Sequence, residues 1–314
     1  MRFALIGRRA LSGVLVLVGV SILSFSLVKL LPGDTAAAIA GDYATPEQIE
    51  AIRESLGLNK PVLMQFFDWL SNVLQGDFGT SLATGRPVID MILEAVPPTV
   101  SIALVSLTIS TIAGLVLGTL AAVYRGRWAD HVLSFLASVS ISMPAFWVLL
   151  LLILAFAILN RWFPAVGYVP LSEGFWPWLS HILLPALALS FTHGAEIARY
   201  ARGSMIDVLA TPYIRAARAR GARGVSLSAR HLVRNSAIPL VTVLGLQVAG
   251  MLGGVIVVES IAGIHGLGEL AVSSVLTRDY ITLQAYVLFV AAIIVVINLI
   301  VDILYTVINP KVRS

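Results

Sequence analysis

The residues richest in chemistry sit in one block. Between Tyr213 and Pro239 run six arginines (Arg215, Arg218, Arg220, Arg223, Arg230 and Arg234) and one histidine, with no acid among them. Permanent guanidinium charge holds anions. The candidates are the phosphates of nucleic acid, lipid headgroups, or carboxylates on a protein partner, which a guanidinium grips with two parallel hydrogen bonds. Thr211-Pro212 opens the block as a helix start and Gly221 supplies a stop, so Tyr213–Arg220 reads as a short helix. Ala216, Ala217 and Ala219 give it a low-relief surface. No base-reading element or aromatic platform accompanies the charge, which sets nucleic acid aside. Attraction to anionic lipid accounts for arginines beside a membrane, but not for the alanines or the glycine stop. A protein-docking helix accounts for all of them.

Elsewhere the chemistry is sparse. A phosphate-cradling P-loop needs Gly-Lys-Ser/Thr, yet the three lysines, Lys29, Lys60 and Lys311, follow Val28, Asn59 and Pro310. If ATP drives this protein, another chain binds it. His181 and His193 lie twelve residues apart, which is not metal-ligand spacing and suits capping or pore-lining roles better. There is no cysteine, hence no thiolate metal site or cysteine nucleophile. No Ser/His/Asp set or paired carboxylates stand out, so no catalytic, metal-binding or cofactor-binding residue is assigned, and the chain reads as non-enzymatic. Ion-coupled carriers bury ionisable residues in mid-membrane. Here Lys29, Glu196, Arg199 and Glu259 are expected to snorkel or pair locally, and Asp302 is the best candidate for a buried carboxylate.

These residues are carried on a very apolar chain: 314 residues, 58% hydrophobic and 12% charged, with a mean hydropathy of +0.92. A soluble domain carries about 25% charged residues. Six apolar stretches lie near Ala10–Leu31, Thr99–Tyr124, His131–Asn160, Ser180–Ala201, Ser236–Ile261 and Leu283–Ile308. About 20 residues cross a hydrocarbon core of about 30 Å, so each is long enough for a transmembrane helix. The first is too long for the apolar region of a signal peptide and is expected to be retained. The expected fold is an all-α membrane protein with six transmembrane helices. Fifteen of the 21 basic residues then fall on the side of the N-terminus, and six (Lys29, Arg53, Lys60, Arg86, Arg161 and Arg278) on or near the other. The positive-inside rule places both termini in the cytoplasm.

The domain plan follows: residues 1–31, cytoplasmic N-terminus and first helix; 32–98, a small helical extracytoplasmic domain; 99–308, a five-helix core with a coupling loop at 202–235; 309–314, cytoplasmic C-terminus. In the outer domain Thr45-Pro46-Glu47-Gln48 has the form of an N-cap, a proline at N1 and a capping-box glutamine, with Gly57 as stop. A second helix begins near Pro61 and ends at Gly76. Its Phe67 and Trp69 suit a lipid interface or the rim of the bundle. Gly114-x-x-x-Gly118 and Gly250-x-x-x-Gly254 permit close helix approach, and Pro144, Pro185 and Pro239 would kink or start helices.

Ala216-Ala217-x-x-x-Gly221 followed by "HLVRNSAIP" resembles the cytoplasmic loop of ABC-importer permeases, whose signature is Glu-Ala-Ala-x-x-x-Gly and, further on, Ile/Leu-x-Leu-Pro, with Ile238-Pro239 here at the closing dipeptide. Arg215 stands at the glutamate position, as is usual in the oligopeptide/dipeptide/nickel branch. "LPGD" (Leu31–Asp34), "TPEQIEAIRESLGL" (Thr45–Leu58), "GDFGTSL" (Gly76–Leu82) and "ESIAGIHGLGEL" (Glu259–Leu270) also resemble that branch, specifically its first permease type. The resemblance implies a bacterial inner-membrane importer with a second homologous permease, two ATP-binding subunits that hold ATP and Mg, and an external substrate-binding protein. It implies that Tyr213, Arg215, Ala216, Ala217, Arg218, Arg220 and Gly221 form the coupling helix seated in an ATPase cleft. It also implies that Gly263, Ile264, His265, Gly266 and Gly268 belong to an outer loop that meets the binding protein or gates the pore. Di- and oligopeptides are the substrates this branch suggests, with nickel chelates, glutathione or other small solutes as alternatives. A gradient-driven carrier is the reading outside the family.

Overall fold

The computed structural model describes residues 2–30, 45–55, 57, 59–212, 214, 216 and 233–308. Among these the chain is almost wholly helical, and a single bridge from Thr80 to Pro87 is its β pairing. The helices are α1 (Arg2–Leu30), α2 (Pro46–Ser55), α3 (Val62–Leu74), α4 (Val88–Val123), α5 (Trp128–Ser142), α6 (Ala145–Leu152), α7 (Phe175–Leu209), α8 (Val233–Ala262), α9 (Leu267–Leu276) and α10 (Tyr280–Ile308). Four are long and apolar enough to cross a bilayer: α1, α4, α7 and α10. Two bent pairs each make one further candidate span. In the first, α5 meets α6 and its π-helical continuation Ile153–Leu159 at 99°. In the second, the end of α8 meets α9 at 78°.

The first bend departs from the single stretch His131–Asn160 expected from hydropathy. Pro144 has no N–H to give a continuing helix, and it forces Met143 out of the helical region to φ −90°, ψ 124°. Apolar composition is blind to that break. α7 is longer than its apolar run, because the polar residues through Asp207 continue the helix beyond it.

The chain forms two compact units. The larger contains Pro97–Glu269 with Met1–Ile6 and Ile297–Ser314. Its central element is α7, which touches α5, α6 and α8. Ile102, Leu149, Ile182, Leu189, Val258 and Ile264 form a shared buried cluster. α4 approaches α7 through the expected glycines. A Cβ on Gly114 would lie 2.7 Å from the Ile197 side chain, and one on Gly118 2.5 Å from the Ala198 carbonyl oxygen. The second glycine pair is looser: a Cβ on Gly250 would sit 3.6 Å from His193, and one on Gly254 3.1 Å from Leu189.

The smaller unit contains Gly7–Val96 and Leu270–Val296. Its α2 begins with the expected capping box: the Thr45 N–H donates to Gln48 Oε1 (2.9 Å), and the Gln48 N–H reaches back toward Thr45 Oγ1 (3.4 Å). Gly57 (φ 65°) and Gly76 (φ 87°) take the left-handed conformations that end α2 and α3. α3 packs on α1, with the Phe25 ring 5.4 Å from Phe66 and 5.7 Å from Trp69. Trp69 is half-buried in this aromatic contact, while Phe67 is exposed. Lys29 donates to Gln65 at 2.5 Å, the local pairing expected of it.

Candidate functional site

Within the larger unit, polar groups gather at three places that an apolar bundle would otherwise avoid. The first is the turn between α8 and α9, the glycine-rich loop singled out in the sequence. Glu259 has no exposed surface. Its Oε1 accepts from the Thr99 hydroxyl (2.5 Å), and its Oε2 accepts from the N–H of Gly268 (2.7 Å) and of Glu269 (3.3 Å). Thr99 Oγ1 in turn accepts from the N–H of Leu267 (2.8 Å). The first three N–H groups of α9, which have no partner inside the helix, are thus all satisfied, and a carboxylate lies at the positive end of the helix. The two glycines make room: a Cβ on Gly266 would overlap the Glu259 carboxylate, and one on Gly268 the backbone at Ile256. Gly263 turns the chain at φ 58°. The Gly167 N–H donates to the Ala262 carbonyl (2.9 Å), so the loop before α7 rests on this turn.

Glu259 therefore does not snorkel, as its sequence position near a helix end suggested. It is a wholly buried carboxylate, whereas Asp302 is half-buried. Of the five loop residues expected to face outward, Ile264, Gly266 and Gly268 are buried in the turn, and Gly263 and His265 are exposed. His265 Nδ1 lies 3.4 Å from Glu269 Oε2. The exposed surface of the turn is thus given by His265 and Gly263, while the rest of the motif builds the turn.

The second place joins α7 to α8. His193 Nδ1 donates to Gln247 Oε1, and Gln247 Nε2 donates to Glu196 Oε2 at 2.5 Å. Gln247 is buried, and its two ends can satisfy a histidine and a carboxylate together. Neither His193 nor Glu196 announced this link, because Gln247 is far away in sequence within an apolar run. His181, by contrast, bonds the Pro177 carbonyl locally (2.7 Å).

The third place joins α5 to α7. Asp130 is 3% exposed and accepts from Arg202 Nε (2.7 Å) and Nη2 (2.9 Å), a two-pronged ion pair. The Gly126 N–H adds a third bond at 2.9 Å. This clamp fixes the end of α7 from which the basic block departs. Of that block, Ile214 is buried against Val208 and Leu209, and Ala216 is helical and exposed. Tyr213, Arg215, Ala217, Arg218, Arg220 and Gly221 lie outside the described residues.

In the smaller unit, Asp279 caps α10. It accepts from Thr282 Oγ1 (2.7 Å) and Ser81 Oγ (2.5 Å), and more loosely from the Leu82 N–H (3.3 Å). This explains the "GDFGTSL" segment: Asp77 receives the Gly79 N–H at 2.9 Å, and Ser81 is then aimed at Asp279.

Among the described residues no cluster of histidine or acidic side chains is fit to hold a metal ion. The sequence profile of the binding-protein-dependent transport system inner membrane component matches residues 114–314, and that of the N-terminal membrane component of such systems matches residues 1–103. The chain is 40% identical over 98% of its length, and 98% of the relative's, to y4tP of Sinorhizobium fredii, named a probable peptide ABC transporter permease. It is 42% identical to the glutathione transport system permease GsiC of Escherichia coli K12, covering 94% of each chain. Its backbone is similar to a chain of the MetNI methionine ABC transporter in an inward-facing conformation, with TM-score 0.59, 16% identity, and coverage of 70% of this chain and 96% of that one.

Proposed function

The chain belongs to the family of binding-protein-dependent transport system inner membrane components, and from that membership we propose that it is the permease subunit of an ABC importer for short peptides. The observation that carries the substrate class is its similarity, along nearly its whole length, to one relative named for peptides and another named for glutathione, itself a tripeptide. Glutathione is the second reading, favoured by the 42% identity.

In this reading α5 and α6 form one bent span and α8 crosses by itself, with α9 turning back at its outer end, giving six spans with both termini in the cytoplasm, as the basic residues favour. Residues 32–98 lie on the outer side. A second permease completes the path, an external binding protein delivers the peptide, and two ATPase subunits supply the energy. Tyr213–Gly221 is the coupling helix that one ATPase moves. The buried Ile214 and the Asp130–Arg202 clamp support that role, since they tie the start of this segment to the transmembrane helices. His265 is the side chain at the outer turn placed to meet the binding protein, with Glu259 holding the turn in shape.

The test is uptake into cells carrying the complete importer, measured with labelled di- and oligopeptides and with labelled glutathione, alongside detergent capture of the chain. Peptide uptake that depends on this chain and co-capture of an ATPase subunit are expected. Capture of no ATPase subunit would overturn the importer assignment. ATPase capture with uptake of glutathione alone would overturn the broader peptide assignment.

A further inference from the structure

We propose that the cleft between α4, α5 and α7 is a binding site for one anionic phospholipid, with an acyl chain in the cleft and the phosphate at Arg199. This rests on the chain crossing a bilayer and not on which solute it carries.

The cleft has a volume of about 610 Å³. Its walls are mainly aliphatic and aromatic: Ala113 and Leu117 from α4, Leu136 and Ala137 from α5, and Phe191 from α7. Leu117, Leu136 and Phe191 are exposed, so the cleft opens sideways rather than being sealed in the core. Its wall along α7 runs from Leu187 past Arg199 to Arg202, with the apolar part lying between Leu187 and Arg199. At 1.5 Å per residue that is about 18 Å, close to the ~15 Å of hydrocarbon in one leaflet.

Charge distinguishes the two ends. Arg202 also lines the cleft but is neutralised by Asp130. Arg199 is exposed and, among the described residues, has no ion-pair or hydrogen-bond partner. The level of the headgroups is marked independently. Tyr200 is exposed beside Arg199, while Tyr124 and Trp128 are exposed at the ends of α4 and α5 that flank the basic Arg125–Arg127 turn. Exposed aromatics and arginines together mark a membrane–water interface. An apolar slot one leaflet deep, ending at that interface beside an unpaired cation, is complementary to a phosphate with an acyl chain. Ser134, Ser138, Ser140 and Ser190 also line the slot, but each hydroxyl donates within its own helix, so the slot offers a peptide backbone few partners.

Native mass spectrometry of the delipidated full-length chain, after addition of phosphatidylglycerol or of phosphatidylcholine with the same acyl chains, tests the site. The wild-type chain should retain a single phosphatidylglycerol in preference to phosphatidylcholine. Arg199→Gln should weaken that retention about fivefold, as expected for one basic residue at a lipid surface, and Arg199→Lys should restore most of it. Ala137→Phe, which fills the slot, should lower retention of both lipids, while Arg125→Gln, outside it, should leave retention unchanged. Equal retention of the two lipids, or indifference to Arg199→Gln, would overturn the proposal. So would an equal loss with Arg125→Gln, or a photocrosslinker at position 137 that captures protein instead of lipid in native membranes.

Discussion

A carboxylate removed from water is costly unless donors surround it, and Glu259 meets that demand with one hydroxyl and two backbone N–H groups. Thr99 is the hinge of the arrangement because it donates to Glu259 and accepts from Leu267. Thr99→Val keeps the shape but leaves the Leu267 N–H and one carboxylate oxygen without partners. Each such loss costs about 1–3 kcal/mol. The melting temperature of the detergent-purified chain should fall clearly, and Thr99→Ser should recover most of the drop. An unchanged melting temperature for Thr99→Val would contradict the role assigned to this hydroxyl. Gly266→Ala is expected to destabilise by roughly 1–3 kcal/mol, since its methyl group overlaps a carboxylate that is pinned at both oxygens and cannot swing away. The same melting measurement checks it.

Helix packing depends on the same absence of side chains. α4 and α7 meet where Gly114 and Gly118 leave no Cβ between the backbones, as membrane helices often do. Gly118→Leu should separate them, lowering both the melting temperature and the yield of monodisperse protein. Gly19→Ala on α1, where nothing lies within 4 Å of the added carbon, should change neither. That contact was legible in the sequence, as were the Thr45–Gln48 capping box and the glycine stops at Gly57 and Gly76, because each is set by local chemistry at fixed spacing. The break at Pro144 was half legible. Proline marked the position, but hydropathy carried straight through it. The Gln247 bridge between His193 and Glu196, the Ser81–Asp279 bond and the burial of Glu259 could not be read, since each pairs residues brought together only by the folded chain. For Glu259 one local cue existed. Three glycines follow it within nine residues, Gly263, Gly266 and Gly268, and their missing side chains let backbone N–H groups approach a carboxylate.

At the scale of the whole molecule, a permease without a nucleotide site must receive work from outside, and the basic block is where such work would enter. Gly221→Val removes the residue suited to a left-handed helix stop, and Ala217→Glu places a charge on the smooth face. Both should abolish uptake while leaving the amount of chain in the membrane unchanged, and normal uptake by both would rule out the docking role. On the proposed reading the entry point lies on the opposite side of the membrane from the α8–α9 turn. The chain has no cysteine, so single introduced thiols report on sidedness without background. Ala216 and His265 are both exposed, and modifying either should leave the buried core intact. In sealed right-side-out vesicles, a membrane-impermeant maleimide should label His265→Cys at once and Ala216→Cys only after the membrane is opened. With six spans and the N-terminus inside, these two positions must differ. Equal labelling of both before permeabilisation would place the basic block and the glycine turn on one face, and no lever acting from the cytoplasm could then be built from Tyr213–Gly221.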